Sequence, residues 1–196
     1  MQKICVFCGS SPGKGTQYKA AAIALGEKLA EQKIGLIYGG AKVGLMGEIA
    51  KTVLDRGGSV TGIIPRALVK KEVAFTDLPD LRIVNSMHER KALMSELSDG
   101  FIALPGGLGT IEELFEVLTW AQLGIHQKPC GILNVAGYFD AMIAFLDKLV
   151  HEKFMLEAHR QMIIVDDKAD RLLEKFANYT YAEIDKAKWA LDLKNS

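Results

Sequence analysis

Short apolar runs that alternate with helical stretches from one end to the other restrict this 196-residue chain to one broad architecture. The runs are 4–8, 34–38, 59–64, 81–84, 101–104, 131–133 and 162–165. Helical periodicity fills 16–32, 44–56, 87–98, 110–123, 138–152 and 168–178 between them. Runs that are apolar throughout, instead of at every second residue, suit strands covered on both faces, and intervening helices make neighbouring strands parallel. The expected fold is α/β: a Rossmann-like, doubly wound, mostly parallel sheet flanked by helices on both faces. The length and a 49% hydrophobic content suffice for one sizeable core. Residues 1–178 form a single domain on this reading, and 179–196 a C-terminal helix or tail.

Charge excludes several classes of partner. Lys and Arg number 24, as do Asp and Glu, so no global field draws the chain to nucleic acid or to an acidic membrane. The longest basic cluster is Lys70–Lys71, and no stretch approaches the roughly 20 apolar residues that span a bilayer. Met1, Gln2 and Lys3 lead straight into the first apolar run, with no secretory pattern, so a cytoplasmic protein is expected. Cys5 and Cys8 have redox-pair spacing, but residues three apart on a strand face opposite ways, so packed, reduced thiols are expected there and at Cys130. His88 and His126 lie inside or beside motifs, His151 and His159 lack any partner at metal-ligand spacing, all four are read as surface or packing residues, and no metal is expected.

In doubly wound sheets ligands bind beyond the carboxyl ends of the strands, where glycine turns lead into helix N-termini. The turns at Gly9, Gly39 and Gly106 are therefore the places to look for function. A dinucleotide site is disfavoured: the first turn is Cys8-Gly9-Ser10-Ser11-Pro12-Gly13, and the second strand ends in Tyr38-Gly39-Gly40 where a ribose-binding acid belongs. No Gly-Lys-Ser/Thr follows any turn, which removes the Walker reading. What remains suits a single phosphate, as on a mononucleotide or a sugar phosphate. The strongest instance is Pro105-Gly106-Gly107-Leu108-Gly109-Thr110-Ile111-Glu112-Glu113, whose glycines admit a ligand close to the backbone. Thr110 and Glu113 also have capping-box spacing, so a purely helix-capping role competes.

Met87, Arg90, Met94 and Leu97 lie on one face of their helix, which puts a guanidinium on an apolar stripe. Ser86 and Glu89 form a possible capping box, which places Arg90 and Lys91 near the helix N-terminus, where cations oppose the macrodipole. An anionic ligand would account for both oddities; an ion pair with a buried carboxylate would also do so. Trp120 shares a face with Glu113 and Val117 and either lines a base pocket or packs in the core, and Glu116 and Thr119 lie near the same edge.

Five motifs in order resemble the Lonely Guy (LOG) family, the cytokinin riboside 5'-monophosphate phosphoribohydrolases, also described as possible lysine decarboxylases. They are Cys8-Gly9-Ser10-Ser11; Tyr38-Gly39-Gly40 with Gly44-Leu45-Met46-Gly47; Met87-His88-Glu89-Arg90-Lys91; the Gly106 motif through Glu113; and Thr119-Trp120-Ala121-Gln122-Leu123-Gly124. The resemblance implies a Rossmann-like homodimer with Arg90 and Glu113 as catalytic residues. It further implies substrate contacts at Glu72, Lys91, Gly106, Gly107, Leu108, Gly109, Thr110, Ile111, Glu112 and Thr119, on a nucleoside 5'-monophosphate substrate and with no cofactor.

The residues are compatible with that chemistry. With phosphate on the Gly106–Thr110 amides, Glu113 lies about 4.5 Å further along the helix axis and leans back toward the sugar. A carboxylate there can stabilise an oxocarbenium-like state and orient water, while Arg90 holds the carboxylate or binds phosphate. The expected reaction is hydrolysis of AMP, or of its N6-substituted cytokinin forms, to base and ribose 5-phosphate. The rival readings are a non-catalytic carrier of a nucleotide-like cofactor and a pyridoxal-dependent decarboxylase, for which Lys91 is the only motif lysine.

Overall fold

The computed structural model describes residues 1–71 and 73–181. Its strands are β1 (Lys3–Phe7), β2 (Gly35–Tyr38), β3 (Val60–Pro65), β4 (Asp80–Val84), β5 (Gly100–Ala103), β6 (Cys130–Leu133) and β7 (Ile163–Asp166). They form one seven-stranded sheet in the order β4-β3-β2-β1-β5-β6-β7, and every pairing is parallel. The doubly wound expectation therefore holds, with a sheet wholly parallel where a mostly parallel one was expected.

The helices are α1 (Thr16–Glu31), α2 (Gly44–Asp55), α3 (Met87–Leu97), α4 (Leu108–Gln122), α5 (Asp140–His151), α6 (Glu157–Gln161) and α7 (Ala169–Ala177). Apolar side chains of α1, α2 and α7 pack with alternate strand residues such as Ile4, Val6, Leu36 and Tyr38. Cys5, Phe7, Ile37 and Phe101 point the other way, against α3 and α4. The alternation separates Cys8 from Cys5, and all three cysteines are free and buried. The two edge strands depart from the near-continuous burial of the inner ones: β4 leaves Ile83 half exposed, and Ile164 and Val165 of β7 are only partly buried. Residues 179–181 follow α7 without helix, and the rest of the expected C-terminal segment, 182–196, lies outside the described residues.

Among the described residues no helix is long and apolar enough to cross a membrane, and no cluster of His, Cys, Asp or Glu could hold a metal ion. His126 is buried against Phe101 and bonds the Val117 carbonyl oxygen, and His159 is buried on α6, both packing positions.

The distal end of the sheet is fastened by one carboxylate. Asp166 closes β7 and receives Lys175 at 2.8 Å, Arg171 at 2.9 Å and the Lys168 N–H at 3.0 Å. Burial would raise its pKa, but Lys175, Arg171 and the Lys168 amide outweigh it and hold the carboxyl well below the usual range. A depressed folded-state pKa means that this stabilisation is complete above about pH 4 and fades as pH falls through the folded value. Asp166→Asn is expected to cost about 2 kcal/mol at pH 7, or roughly 4 to 8 °C of melting temperature, with a smaller difference from the parent below about pH 3. Parallel melting curves at both pH values check this.

Candidate active site

Chain order runs outward from β1 through β2 and β3 to β4, then returns to β5 on the other side of β1. The reversal opens a crevice between the carboxyl ends of β1 and β5, where doubly wound sheets bind ligands. Both turns meet there: the Gly9 N–H donates to the Pro105 carbonyl at 3.0 Å, and Leu45 N–H, at the start of α2, donates to the Gly9 carbonyl at 3.0 Å. Gly44, with φ 62°, allows this docking, since a Cβ there would stand 2.2 Å from the Ser10 carbonyl carbon. A cavity of about 300 Å³ opens at the junction, lined by 9–13, Tyr18, Leu45, 105–107 and Tyr138.

The glycine motif leads into α4 with Gly107 as its N-cap and no side-chain capping bond. Thr110 is therefore the third helical residue, and the competing Thr110–Glu113 capping box does not form. Thr110 is buried with its hydroxyl against Gly106, where a Cβ would be 2.1 Å from Oγ1. The first backbone bond of the helix runs from Ile111 N–H to the Gly107 carbonyl at 3.2 Å. The N–H groups of Leu108, Gly109 and Thr110 thus precede any intrahelical acceptor, and the helix dipole adds positive potential at that end.

Gly107 and Gly109 are informative because neither a steric clash nor a positive φ demands glycine there. A Cβ at either would meet nothing within 4 Å, and neither has positive φ. Gly109 lies within the helix, where glycine costs about 0.5 to 1 kcal/mol relative to alanine, so the fold gives up stability there to leave this space open, whereas glycine is a favoured N-cap at position 107. Gly109→Ala is expected to raise stability by about that amount while weakening nucleotide monophosphate binding. Melting and isothermal titration with AMP test the pair of effects; unchanged affinity would contradict a ligand-facing role.

Arg90 reaches the same region from α3. Ser86 caps this helix by accepting from Glu89 N–H at 3.1 Å, while the Glu89 carboxylate accepts from Asn85 N–H at 2.8 Å. The expected capping box forms, with its return arm one residue earlier than the usual pattern. Arg90 is only 4% exposed and donates through Nη2 to the Gly39 carbonyl at 3.1 Å. A Cβ on Gly39 would lie 2.1 Å from that nitrogen, so the second glycine turn exists to admit the guanidinium. Glu113 is half-buried on α4, one turn beyond Thr110. Burial pushes the Cys5 thiol pKa up, with Glu113 raising it further and Arg90 opposing. Glu113 adds to the burial effect at Cys8 as well. Glu113 and Arg90 thus both bear electrostatically on Cys5, in the middle of β1.

Lys91 lies beside them but is engaged, its Nζ 2.6 Å from Glu112 and 2.9 Å from Glu116 on α4. Burial would lower its pKa, but both carboxylates outweigh that and hold the ammonium above its ordinary value. This ties α3 to α4 and so fixes Arg90 relative to Glu113. Leu108 projects outward at 87% exposure, and Ile111 is half-buried on the first turn. Thr119 is not brought to the loop: it lies about 13 Å along the axis from Thr110, donates to the Phe115 carbonyl at 2.7 Å and lines a separate groove between α4, α5 and α6. Trp120 packs on the core. Glu72 lies outside the described residues. The sequence reading did not single out Tyr18, Leu45 or Tyr138 as site residues, since nothing in their local spacing marks them as neighbours of the crevice.

Fold and crevice together define an α/β domain with a glycine-lined crevice at the switch point of a parallel sheet. Residues 46–176 match the family model described as "Possible lysine decarboxylase". The probable cytokinin riboside 5'-monophosphate phosphoribohydrolase LOGL5 of Oryza sativa subsp. japonica is 51% identical over 178 residues, covering 91% of this chain and 72% of that one. The cytokinin riboside 5'-monophosphate phosphoribohydrolase LOG3 of Arabidopsis thaliana is 49% identical, covering 91% and 83%. The chain belongs to this LOG-type family. Among solved structures, the molybdenum cofactor carrier protein of Chlamydomonas reinhardtii superposes with a TM-score of 0.69 at 18% identity, covering 91% of this chain and 99% of that one, a likeness of fold alone.

Proposed function

We propose that this protein hydrolyses the N-glycosidic bond of AMP, or of N6-substituted adenosine 5'-monophosphates of the cytokinin type, to free base and ribose 5-phosphate. The observation that carries the proposal is the open N-terminus of α4, cleared by Gly107 and Gly109, with Glu113 one turn further on and buried Arg90 alongside. Phosphate rests on the N–H groups of residues 107–110, which places C1' of the ribose toward Glu113. As the C1'–N bond breaks, its electron pair leaves with the base and positive charge grows on the sugar. The Glu113 carboxylate stabilises that charge and orients the attacking water. The water oxygen bonds to C1', and its proton balances the departing base. Arg90, fixed by the Gly39 carbonyl, positions the acid. Lys91 and Glu112 hold the two helices in register at the edge of the site.

The reaction as written draws on water alone. The family description as a lysine decarboxylase implies pyridoxal phosphate on a lysine, and the residues do not fit that group. Lys91 is held as an ammonium by Glu112 and Glu116, whereas Schiff-base formation needs a free amine.

Chromatography of AMP and N6-isopentenyl-AMP incubated with the protein tests the reading. Base and ribose 5-phosphate in equal amounts are expected; saturable binding without release would instead make the chain a carrier. The homodimer belongs to the same proposal. Phe145 on α5 and Phe154 just beyond it are 55% and 80% exposed, and a groove lined by Phe115, Leu118, Thr119 and Met155 adjoins that part of the chain. A second copy covering this face would bury them. Sedimentation is expected to give a two-chain mass, reduced to one chain by Phe154→Asp.

A further inference from the structure

The turn after β6 is shaped at a conformational cost and presents one tyrosine. Ala136 takes φ 51° and ψ 34°, the left-handed region that disfavours a residue with a Cβ, and Gly137 follows at φ 71°. Asn134 clasps the turn: its Oδ1 accepts from the Phe139 N–H at 2.8 Å, and its Nδ2 donates to Asp140 at 2.7 Å. The Asp140 carboxylate occupies the space beside Gly137, where a Cβ would lie 2.5 Å from Oδ2. Strain in a loop held from both sides is a pointer to function.

What the turn holds is Tyr138. Its ring stands edge-on to Phe139, with centroids 4.9 Å apart, and to Tyr18 of α1 at 5.7 Å, in the wall of the crevice. Its hydroxyl donates to the Gly106 carbonyl at 2.7 Å. That carbonyl belongs to the peptide joining Gly106 to Gly107, the N-cap of α4. A peptide between two glycines has the least side-chain resistance to flipping. In a planar trans peptide the C=O and N–H point in opposite directions, so the hydroxyl fixes where the Gly107 N–H is aimed.

We infer that Tyr138 is a positioning residue that latches the Gly106–Gly107 peptide in the orientation in which the start of α4 receives the substrate phosphate. The inference rests on the proposed hydrolysis for its kinetic readout, but the latch itself is a property of the loop. Tyr138 sets phosphate affinity and leaves the chemistry at C1' to Glu113 and Arg90.

Tyr138→Phe keeps the ring contacts and removes only the hydroxyl. KM for AMP is expected to rise about three- to tenfold, with kcat changing less than about twofold. Inhibition by ribose 5-phosphate is expected to weaken by the same factor as KM, and inhibition by adenine to stay unchanged. Unchanged KM, a loss confined to kcat, or equal weakening of both inhibitors would overturn the inference. Should the parent protein release no base, the proposed function fails by itself. The latch is then decided by calorimetric titration of ribose 5-phosphate into both proteins, where equal affinities overturn it.

Discussion

Glu113→Gln is expected to reduce base release from AMP by about 10² to 10³ while leaving the nucleotide bound and the fold intact. The substitution keeps the size of the side chain but removes the charge, and charge is what the reaction needs as the sugar becomes cationic. A neutral amide neither offsets that charge nor takes a proton from water. Phosphate binding is assigned to the α4 amides, one turn away, so the AMP dissociation constant should move only a few-fold. A large change in KM with kcat preserved would mean that Glu113 grips substrate and does not act on C1'. A full rate would remove the residue from the mechanism. Paired steady-state kinetics and calorimetry distinguish these outcomes.

The second large effect is expected at a residue that touches no substrate. Gly39→Ala places a methyl group 2.1 Å from Arg90 Nη2 and 3.1 Å from Met46 Sδ, so the guanidinium must leave its seat on the Gly39 carbonyl. Gly39 is not among the positive-φ glycines, so the backbone accepts alanine and the collision is the whole cost. A displacement of about an ångström in a catalytic assembly costs about 10² in rate, and that loss is expected here. Because the effect passes through Arg90, it should vanish in an Arg90→Ala background, where the methyl has room. Independent, multiplying losses from the two substitutions in a double-mutant cycle would contradict the assignment.

The alternation of apolar runs and helical periods carried the architecture. Strand ends fell within a residue or so of the predicted positions because each apolar run stops sharply, at glycine turns after β1, β2 and β5 and at polar residues such as Asn85, Asn134 and Asp167 after β4, β6 and β7. The short α6 (Glu157–Gln161) was not legible, since five residues are too few for a 3.6-residue period to declare itself. The start of α5 was predicted at residue 138 and lies at Asp140, because Tyr138 serves the strained turn before the helix, and nothing at Ala136 signals positive φ. At the site, the placement of Arg90 on an apolar stripe anticipated its burial. What Gly39 is for could not be read locally: its reason is a guanidinium 51 positions away, brought close only by the crossing of α3 over β2. The Thr110–Glu113 spacing admitted two readings, and the choice of Gly107 as N-cap decided between them.

The central claim is that one acid faces C1' of a nucleotide whose phosphate sits on the first amides of α4. A crystal structure of Glu113→Gln with AMP tests it directly, since the inactive variant preserves the intact substrate. The phosphate is expected on the N–H groups of residues 107–110, with C1', or a water in line with it, about 3 to 3.5 Å from the substituted side chain on α4. Phosphate bound elsewhere, or C1' turned away from that side chain with the base in its place, would contradict the account.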